Sequence, residues 1–342
     1  MEYVCEANRG LVSPHEIIVK YPMEDADLVS LFRETIQATK ASGKTPRIAI
    51  FDTVSSLPGV RMPFEKLTAV CKEHSVLSLV DGAHGIGHLH LDLSKLDPDF
   101  FVSNCHKWLF VPRGCAVFYV PLRYQPSMRT SLPTSHGFIP QGAKAIANPL
   151  PPNSKSEFVN QFEFVGTIDN TNYLTVQESI RFRHEVCGGE TAIIEYNTNL
   201  AKKGGEVVAK ILGTKTLDNA TGSLTDCCLI NVLLPIEVTP YESFGTTTVK
   251  PEHAVKAGQW IEQTIINDYK SFLPIFSFQG QWWTRLSAQI YLDLSDFEWA
   301  GKMLKEICDR VGKQEFLEVD KRLGKMVLEG GDIAKDGIDA NA

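Results

Sequence analysis

The sequence predicts an α/β fold with a mostly parallel sheet, followed by a smaller α+β C-terminal domain. Three observations carry this expectation. Short runs rich in Val, Ile, Leu and Phe alternate with amphipathic helical stretches up to residue 120. Those runs lack in/out alternation, the pattern of strands covered on both faces. A second strand-and-helix unit starts near residue 225, after long helical segments. Alternating β and α elements imply right-handed crossovers between parallel strands.

The elements follow in order. EIIVK (16–20), RIAIF (47–51), VLSLV (76–80), DFFVS (99–103) and CAVFYV (115–120) read as strands. Between the first two, Leu28, Leu31, Phe32, Thr35 and Ile36 recur at helical spacing, and Gly43 stands where a helix ends. Between the next two, Pro63 opens a helix with Phe64, Leu67, Val70 and Cys71 on one face. Residues 121–160 hold Pro121, Pro126, Pro133, Pro140, Pro149, Pro151 and Pro152, which forbid long regular elements. Residues 170–212 read as long helices broken near Gly188 and Gly189. Then come a strand in CLINVLLPI, a helix within 251–270, a strand around RLSAQIYL and a helix after Ser295. The expected domains are 1–212 and 213–328, with a disordered tail at 329–342.

Composition narrows the function. Lys+Arg 34 against Asp+Glu 41 gives a net charge of −7, without the basic stripe of a nucleic-acid binder. No apolar run reaches the roughly 18 residues that a membrane helix needs. The start, MEYVCEANRG, carries charge where a signal peptide is apolar. Eight cysteines without C-x-x-C spacing suit a reducing compartment, so a cytoplasmic protein is expected.

Two strand ends carry chemistry. VLSLV runs into Asp81-Gly82-Ala83-His84, and DFFVS into Asn104-Cys105-His106-Lys107-Trp108. Ligands of open parallel sheets sit at the C-terminal strand ends. An acid, two imidazoles and a lysine therefore converge on one crevice. A lysine in a cleft can form a Schiff base with an aldehyde. A carboxylate opposite a pyridine nitrogen keeps that nitrogen protonated, which makes the ring an electron sink. Pyridoxal 5'-phosphate (PLP) requires this set.

DGAHGIGHLHLDLSKLDPDFFVSNCHKWLF followed by PRGCAVFYV resembles the class V aminotransferase family of PLP enzymes (fold type I). Within it the chain is similar to the isopenicillin N epimerase-like and hercynylcysteine sulfoxide lyase-like branch, over residues 1 to about 311. The resemblance implies that 1–212 is the PLP-binding large domain. Lys107 is then the Schiff-base lysine and Asp81 the partner of the pyridinium nitrogen. His84 lies beside the ring, and Asn104 and His106 reach the phosphate. Ser56, in Thr53-Val54-Ser55-Ser56-Leu57-Pro58-Gly59, takes the position that meets the ring oxygen, where many members carry Asn. Gly166 and Thr167 match the pair that reaches the phosphate of the other subunit, which implies a homodimer. Arg285 in TRLSAQIY matches the clamp of the substrate α-carboxylate, a planar two-point contact suited to a guanidinium.

The chain departs from the family at both ends. Its start resembles the helix after the family's second strand. On the order of a hundred residues that hold the phosphate-cradling helix are then expected to be absent. The sheet would lack strands and be poorly stable by itself. Residues after about 312 match no motif of the family. Between Cys228 and Arg285 there is no cysteine, so persulfide-forming desulfurase chemistry is not expected. The implied function is PLP-dependent action on an amino acid: C–S lysis of a cysteine conjugate or sulfoxide, or epimerisation. An aminotransferase and an inactive fragment are the alternatives.

Other readings of single residues stay open at this level. Asp81 alone is a turn residue after a strand. His84, His88 and His90 suggest a metal, but no cysteine or carboxylate set completes it. Cys105 reads as a packed small residue before a nucleophile. Trp282 and Trp283 suit either a pocket wall or packing.

Overall fold

Among the described residues, amphipathic helices and strand runs of three to seven residues build a four-stranded, a three-stranded and a two-stranded sheet. The computed structural model describes residues 1–131, 138, 151, 154–241 and 247–318. The expected tail at 329–342, and Pro133, Pro140, Pro149 and Pro152, lie outside the described residues. The chain divides into two units. The first comprises Met1–Ser56, Val60–Tyr196 and Asp218–Cys227. The second comprises Leu57–Gly59, Asn197–Leu217 and the chain from Cys228 on.

The first unit begins with α1 (Glu2–Ala7), α2 (Asp25–Ala41), β1 (Ile48–Asp52), α3 (Phe64–His74) and β2 (Leu77–Asp81). It continues with α4 (Leu93–Leu96), β3 (Phe100–Asn104), α5 (Cys105–Trp108) and β4 (Ala116–Tyr119). Then follow α6 (Glu157–Glu163), α7 (Thr171–Leu174), α8 (Val176–Glu185) and the first residues of α9 (Glu190–Leu212). The sheet order is β1-β2-β3-β4, with β1, β2 and β3 parallel and β4 antiparallel. This is the mainly parallel sheet that the sequence predicts.

Helical periodicity explains the core of this unit. Leu28, Phe32 and Ile36 sit one turn apart on α2 and are buried. Phe64, Leu67, Val70 and Cys71 do the same on α3. They pack with Phe51, Val80 and Phe101, which share one face of the sheet. The opposite face is more open, with Ile48 and Ile50 41% and 46% exposed. The expectation of strands covered on both faces is therefore corrected: α2 and α3 cover one face. A second correction concerns EIIVK. Residues 16–20 form no strand, and Ile18 is exposed. A β-prone run needs a neighbouring strand to supply its ladder.

The second unit holds the rest of α9, then β5 (Leu229–Leu233), β6 (Ile236–Val238), β7 (Thr247–Val249), α10 (Ala254–Tyr269), β8 (Ile275–Phe278), β9 (Gln281–Ser287) and α11 (Leu294–Gly312). Its main sheet is antiparallel, ordered β5-β9-β8, and β6 pairs with β7 in parallel. Strands and helices here follow the α+β pattern. Leu200, Val208, Ile230, Val232, Leu286, Leu304 and Ile307 form its core. The strand expected at RLSAQIYL starts four residues earlier and ends at Ser287. Trp282 belongs to this core and Trp283 is buried, so packing is the role that the structure gives Trp282.

Candidate active site

The site residues of the first unit stand where parallel strands end. β1 and β2 both finish on a carboxylate, and Asp52 and Asp81 are paired in register. In-register neighbours on parallel strands project to the same face. After Asp81 the chain turns sharply. The Ala83 amide donates to Asp81 Oδ1 (2.9 Å), and the Gly82 amide donates to the Val102 carbonyl (2.7 Å). A Cβ on Gly82 would meet the Phe101 ring at 2.4 Å, so only glycine fits this turn. Ser103 Oγ donates to the Gly82 carbonyl and accepts from the Ile86 amide (3.2 Å), which ties the turn to β3.

The turn delivers His84, 8% exposed, against α5, which directly continues β3. Lys107 Nζ lies 3.2 Å from His84 Nε2. On the far side of the ring, Trp108 Nε1 donates to His84 Nδ1 at 3.1 Å. The Trp108 indole also stacks on His88, with centroids 4.1 Å apart. The amide of Thr53, buried at the start of the loop after β1, donates to the Asp81 carbonyl (2.9 Å).

Electrostatics ties Asp52 to both Asp81 and Lys107. Burial pushes the Asp52 carboxyl up to about 6; the Asp81 charge adds to the rise and Lys107 opposes it. Burial also raises the Tyr21 phenol to about 12, with the charges of Asp52 and Asp25 contributing. Tyr21 OH donates to Met62 Sδ (3.1 Å).

A buried clamp holds this arrangement from behind. Arg183, on α8, is fully buried. Its Nη1 donates to the Trp108 carbonyl (2.7 Å) and its Nη2 to the Gly87 carbonyl (3.1 Å). The guanidinium also pairs with Glu190 and lies 4.8 Å from the Phe110 ring centroid. Ser179 Oγ donates to the Leu109 carbonyl. Gly87 has φ +76, and a Cβ there would lie 2.7 Å from the Trp108 carbonyl oxygen.

The expected site residues fall into four groups. Lys107, His84 and Asp81 come together as described. Asn104 ends β3 and leads into α5, which carries His106. His106 Nδ1 is buried without a hydrogen-bond partner, as a side chain prepared for an acceptor would be. Ser56 is exposed on the loop after β1, and Gly166 and Thr167 sit on a loop after α6. Arg285 belongs to the second unit. There it lies on β9 in register with Asn231, and burial lowers its pKa. A Cβ on Gly59 would meet Arg285 Cδ at 2.7 Å. Asn231 holds Gly59 with two bonds, accepting from its amide (2.8 Å) and donating to its carbonyl (2.9 Å). Cys105 is buried among Leu109, Val111 and Cys115, and burial raises its thiol to about 12, as suits a packed residue rather than a nucleophile.

Asp52, Trp108 and Arg183 were absent from the expected site. Asp52 had a signal: IAIFD mirrors LSLVD, each an apolar run ending in aspartate. Trp108 adjoins the lysine. Arg183 left no local sign, because its partners are 75 and 96 positions away.

These residues fit PLP by their chemistry. An amine for its aldehyde, a carboxylate for its ring nitrogen and a buried imidazole nitrogen without a partner stand on adjoining strand ends. The comparisons agree. The Aminotransferase class-V family model matches residues 23–228, and the chain belongs to that family of PLP-dependent enzymes. It is 41% identical to an L-cysteine desulfhydrase-like protein of Epichloe uncinata, over 86% of this chain and 67% of that one. It is 34% identical to the hercynylcysteine sulfoxide lyase of Schizosaccharomyces pombe, over 77% of this chain and 59% of the lyase. It is 30% identical to the isopenicillin N epimerase of Streptomyces clavuligerus, over 45% and 39%. Among solved structures, ureidoglycine–glyoxylate aminotransferase of Bacillus subtilis shares the fold, with TM-score 0.59 and 15% identity over 92% of this chain and 74% of that one. The chain thus spans about two thirds or less of these curated relatives. No helix among the described residues is long and apolar enough to cross a membrane.

Proposed function

We propose that this chain carries the PLP-binding and lyase machinery of an enzyme that cleaves a C–S bond in a cysteine-derived amino acid. The observation that carries the proposal is the Lys107–His84 contact of 3.2 Å beside the Asp81 strand end. Relatives named as cysteine desulfhydrase-like and sulfoxide lyase support the substrate class.

Bound PLP supplies an electron sink for a carbanion at the substrate α-carbon. Lys107 Nζ would hold its aldehyde carbon and Asp81 its ring nitrogen, with His84 beside the ring. Asn104 and His106 would take the phosphate, and Ser56 the ring oxygen. Gly166 and Thr167 would reach the phosphate held by a second copy, so the working form is a homodimer. Arg285 would orient the substrate carboxylate. Lys107 Nζ, released when the substrate amine takes its place on the aldehyde carbon, would then take the α-proton. When the Cβ–S bond breaks, its electron pair leaves on sulfur. Return of the proton to the opposite face of the α-carbon would give epimerisation instead, the chemistry named for the Streptomyces relative. We place the enzyme in the cytoplasm.

The test is the visible absorption of the protein titrated with PLP, beside Lys107→Ala. The expected result is a band in the parent that is absent in the variant and bleached by borohydride. A screen for thiol or sulfenate release from cysteine conjugates and their sulfoxides follows. A chain that binds PLP equally with and without Lys107 refutes the assignment.

A further inference from the structure

We propose that Trp108 is a positioning residue that fixes the tautomer of His84, and that His84 in turn presents Lys107 as the uncharged amine. The argument needs only donor and acceptor inventories. An indole nitrogen can donate and cannot accept. Trp108 Nε1 stands 3.1 Å from His84 Nδ1, so Nδ1 offers its lone pair and bears no proton. The neutral ring then carries its proton on Nε2. An imidazolium would set an N–H against the indole N–H, so the contact disfavours the charged ring. Nε2–H faces Lys107 Nζ at 3.2 Å, a contact that calls for an acceptor on the lysine nitrogen. An ammonium has none; an amine has a lone pair.

The indole cannot easily turn away from this task. Trp108 is 3% exposed, its ring stacks on His88, and Arg183 holds its carbonyl. Other charged or titratable groups act on the same lysine or ring. Asp52 at the end of β1 interacts electrostatically with Lys107 and Asp81, and Tyr21 lies beyond Asp52. His88 faces His84 from the turn, and His106 adjoins Lys107 on α5. Asp52 favours an ammonium, so the Trp108–His84 relay works against it. An amine lone pair is what an aldehyde carbon requires of its nucleophile. The inference deepens the proposed function and rests on it for that last step only.

The experiment uses the full chain without cofactor, labelled with 15N-histidine. Long-range 1H–15N correlation reads each imidazole tautomer, and His84→Gln assigns the resonance. At pH 7 the Nε2–H tautomer is expected for His84. An Nδ1–H tautomer or an imidazolium overturns the proposal. In Trp108→Phe the expected change is a mixture of His84 tautomers. Capture of Lys107 by pyridoxal, trapped with borohydride and located by mass, should also slow about tenfold at pH 7, the effect of losing one hydrogen bond of ordinary strength. An unchanged tautomer and rate in a folded variant overturns the role of Trp108. Should Trp108→Phe not fold, the tautomer in the parent decides alone. Because that readout needs no PLP, failure to bind cofactor and failure of the relay are told apart.

Discussion

Arg183→Met removes the buried guanidinium that fastens the chain behind Lys107, and its cost follows from the contacts. The carbonyls of Trp108 and Gly87 lose donors at 2.7 and 3.1 Å. Each acceptor left unsatisfied in the interior costs about 1–2 kcal/mol. The Glu190 partner is half exposed, so water replaces much of that pairing and its share is at most about 1 kcal/mol. The methionine side chain fills most of the volume, so no large cavity adds to the cost. The total is about 2–5 kcal/mol. Because the bonds close the turn after β2 onto the end of α5, the loss should appear there first. Amide exchange followed by mass spectrometry reads it in peptides covering 84–90 and 104–112. At about 1.4 kcal/mol per decade, exchange in these peptides should speed up by roughly one and a half to three and a half decades, capped by global unfolding. Peptides from β5 and α11, in the other unit, serve as internal controls. Acceleration of less than threefold in both site peptides would show that the two carbonyls are satisfied some other way and that the clamp is incidental.

Two further predictions concern charge and space. Asp52 has a folded-state pKa of about 6, above its unfolded value. The native state therefore holds more protons than the unfolded state between about pH 4 and 6, and stability falls as pH rises through that window. Partial exposure reduces the effect to on the order of 1–2 kcal/mol. Urea unfolding of Asp52→Asn should lack this fall, and a parallel decline in parent and variant would count against the Asp52–Asp81 coupling. In Gly59→Ala the new methyl must displace Arg285 Cδ from 2.7 Å. If Arg285 orients the substrate carboxylate, KM should rise about tenfold or more with kcat changed far less, since misplacement of about an ångström is costly. Equal KM values in parent and variant would separate Arg285 from substrate binding.

Legibility in the sequence followed the range of the interactions that set each feature. β1, β2 and β3 could be placed from apolar runs bounded by turn residues, and α2 and α3 from spacing alone. The break between α8 and α9 sits at Gly188 and Gly189, both with positive φ, where only the backbone is at stake. EIIVK failed because a strand is a property of a pair of segments. β9 was shifted because Trp282 and Trp283 suited a pocket wall as well as packing, while Trp282 is built into the core of its unit. Within the site, Lys107, His84 and Asp81 were visible because each ends or directly follows a strand. Arg183 was not, since nothing near it in sequence marks a side chain that binds carbonyls far along the chain.

Asp52 shows why the missed residues bear on the chemistry. Two carboxylates paired in register on adjoining strands repel one another, and half-burial weakens the screening between them. The fold tolerates the pair because Lys107 lowers the Asp52 pKa, or because Asp52 takes up a proton near pH 6. The uncharged amine that His84 favours withdraws the first remedy. A cationic ring nitrogen bound opposite Asp81 would restore it, and would be held more firmly by two carboxylates than by one. On the proposed placement of a pyridinium at Asp81, its binding and discharge of the lysine would be linked, each making the other less costly through Asp52, which interacts with both Asp81 and Lys107.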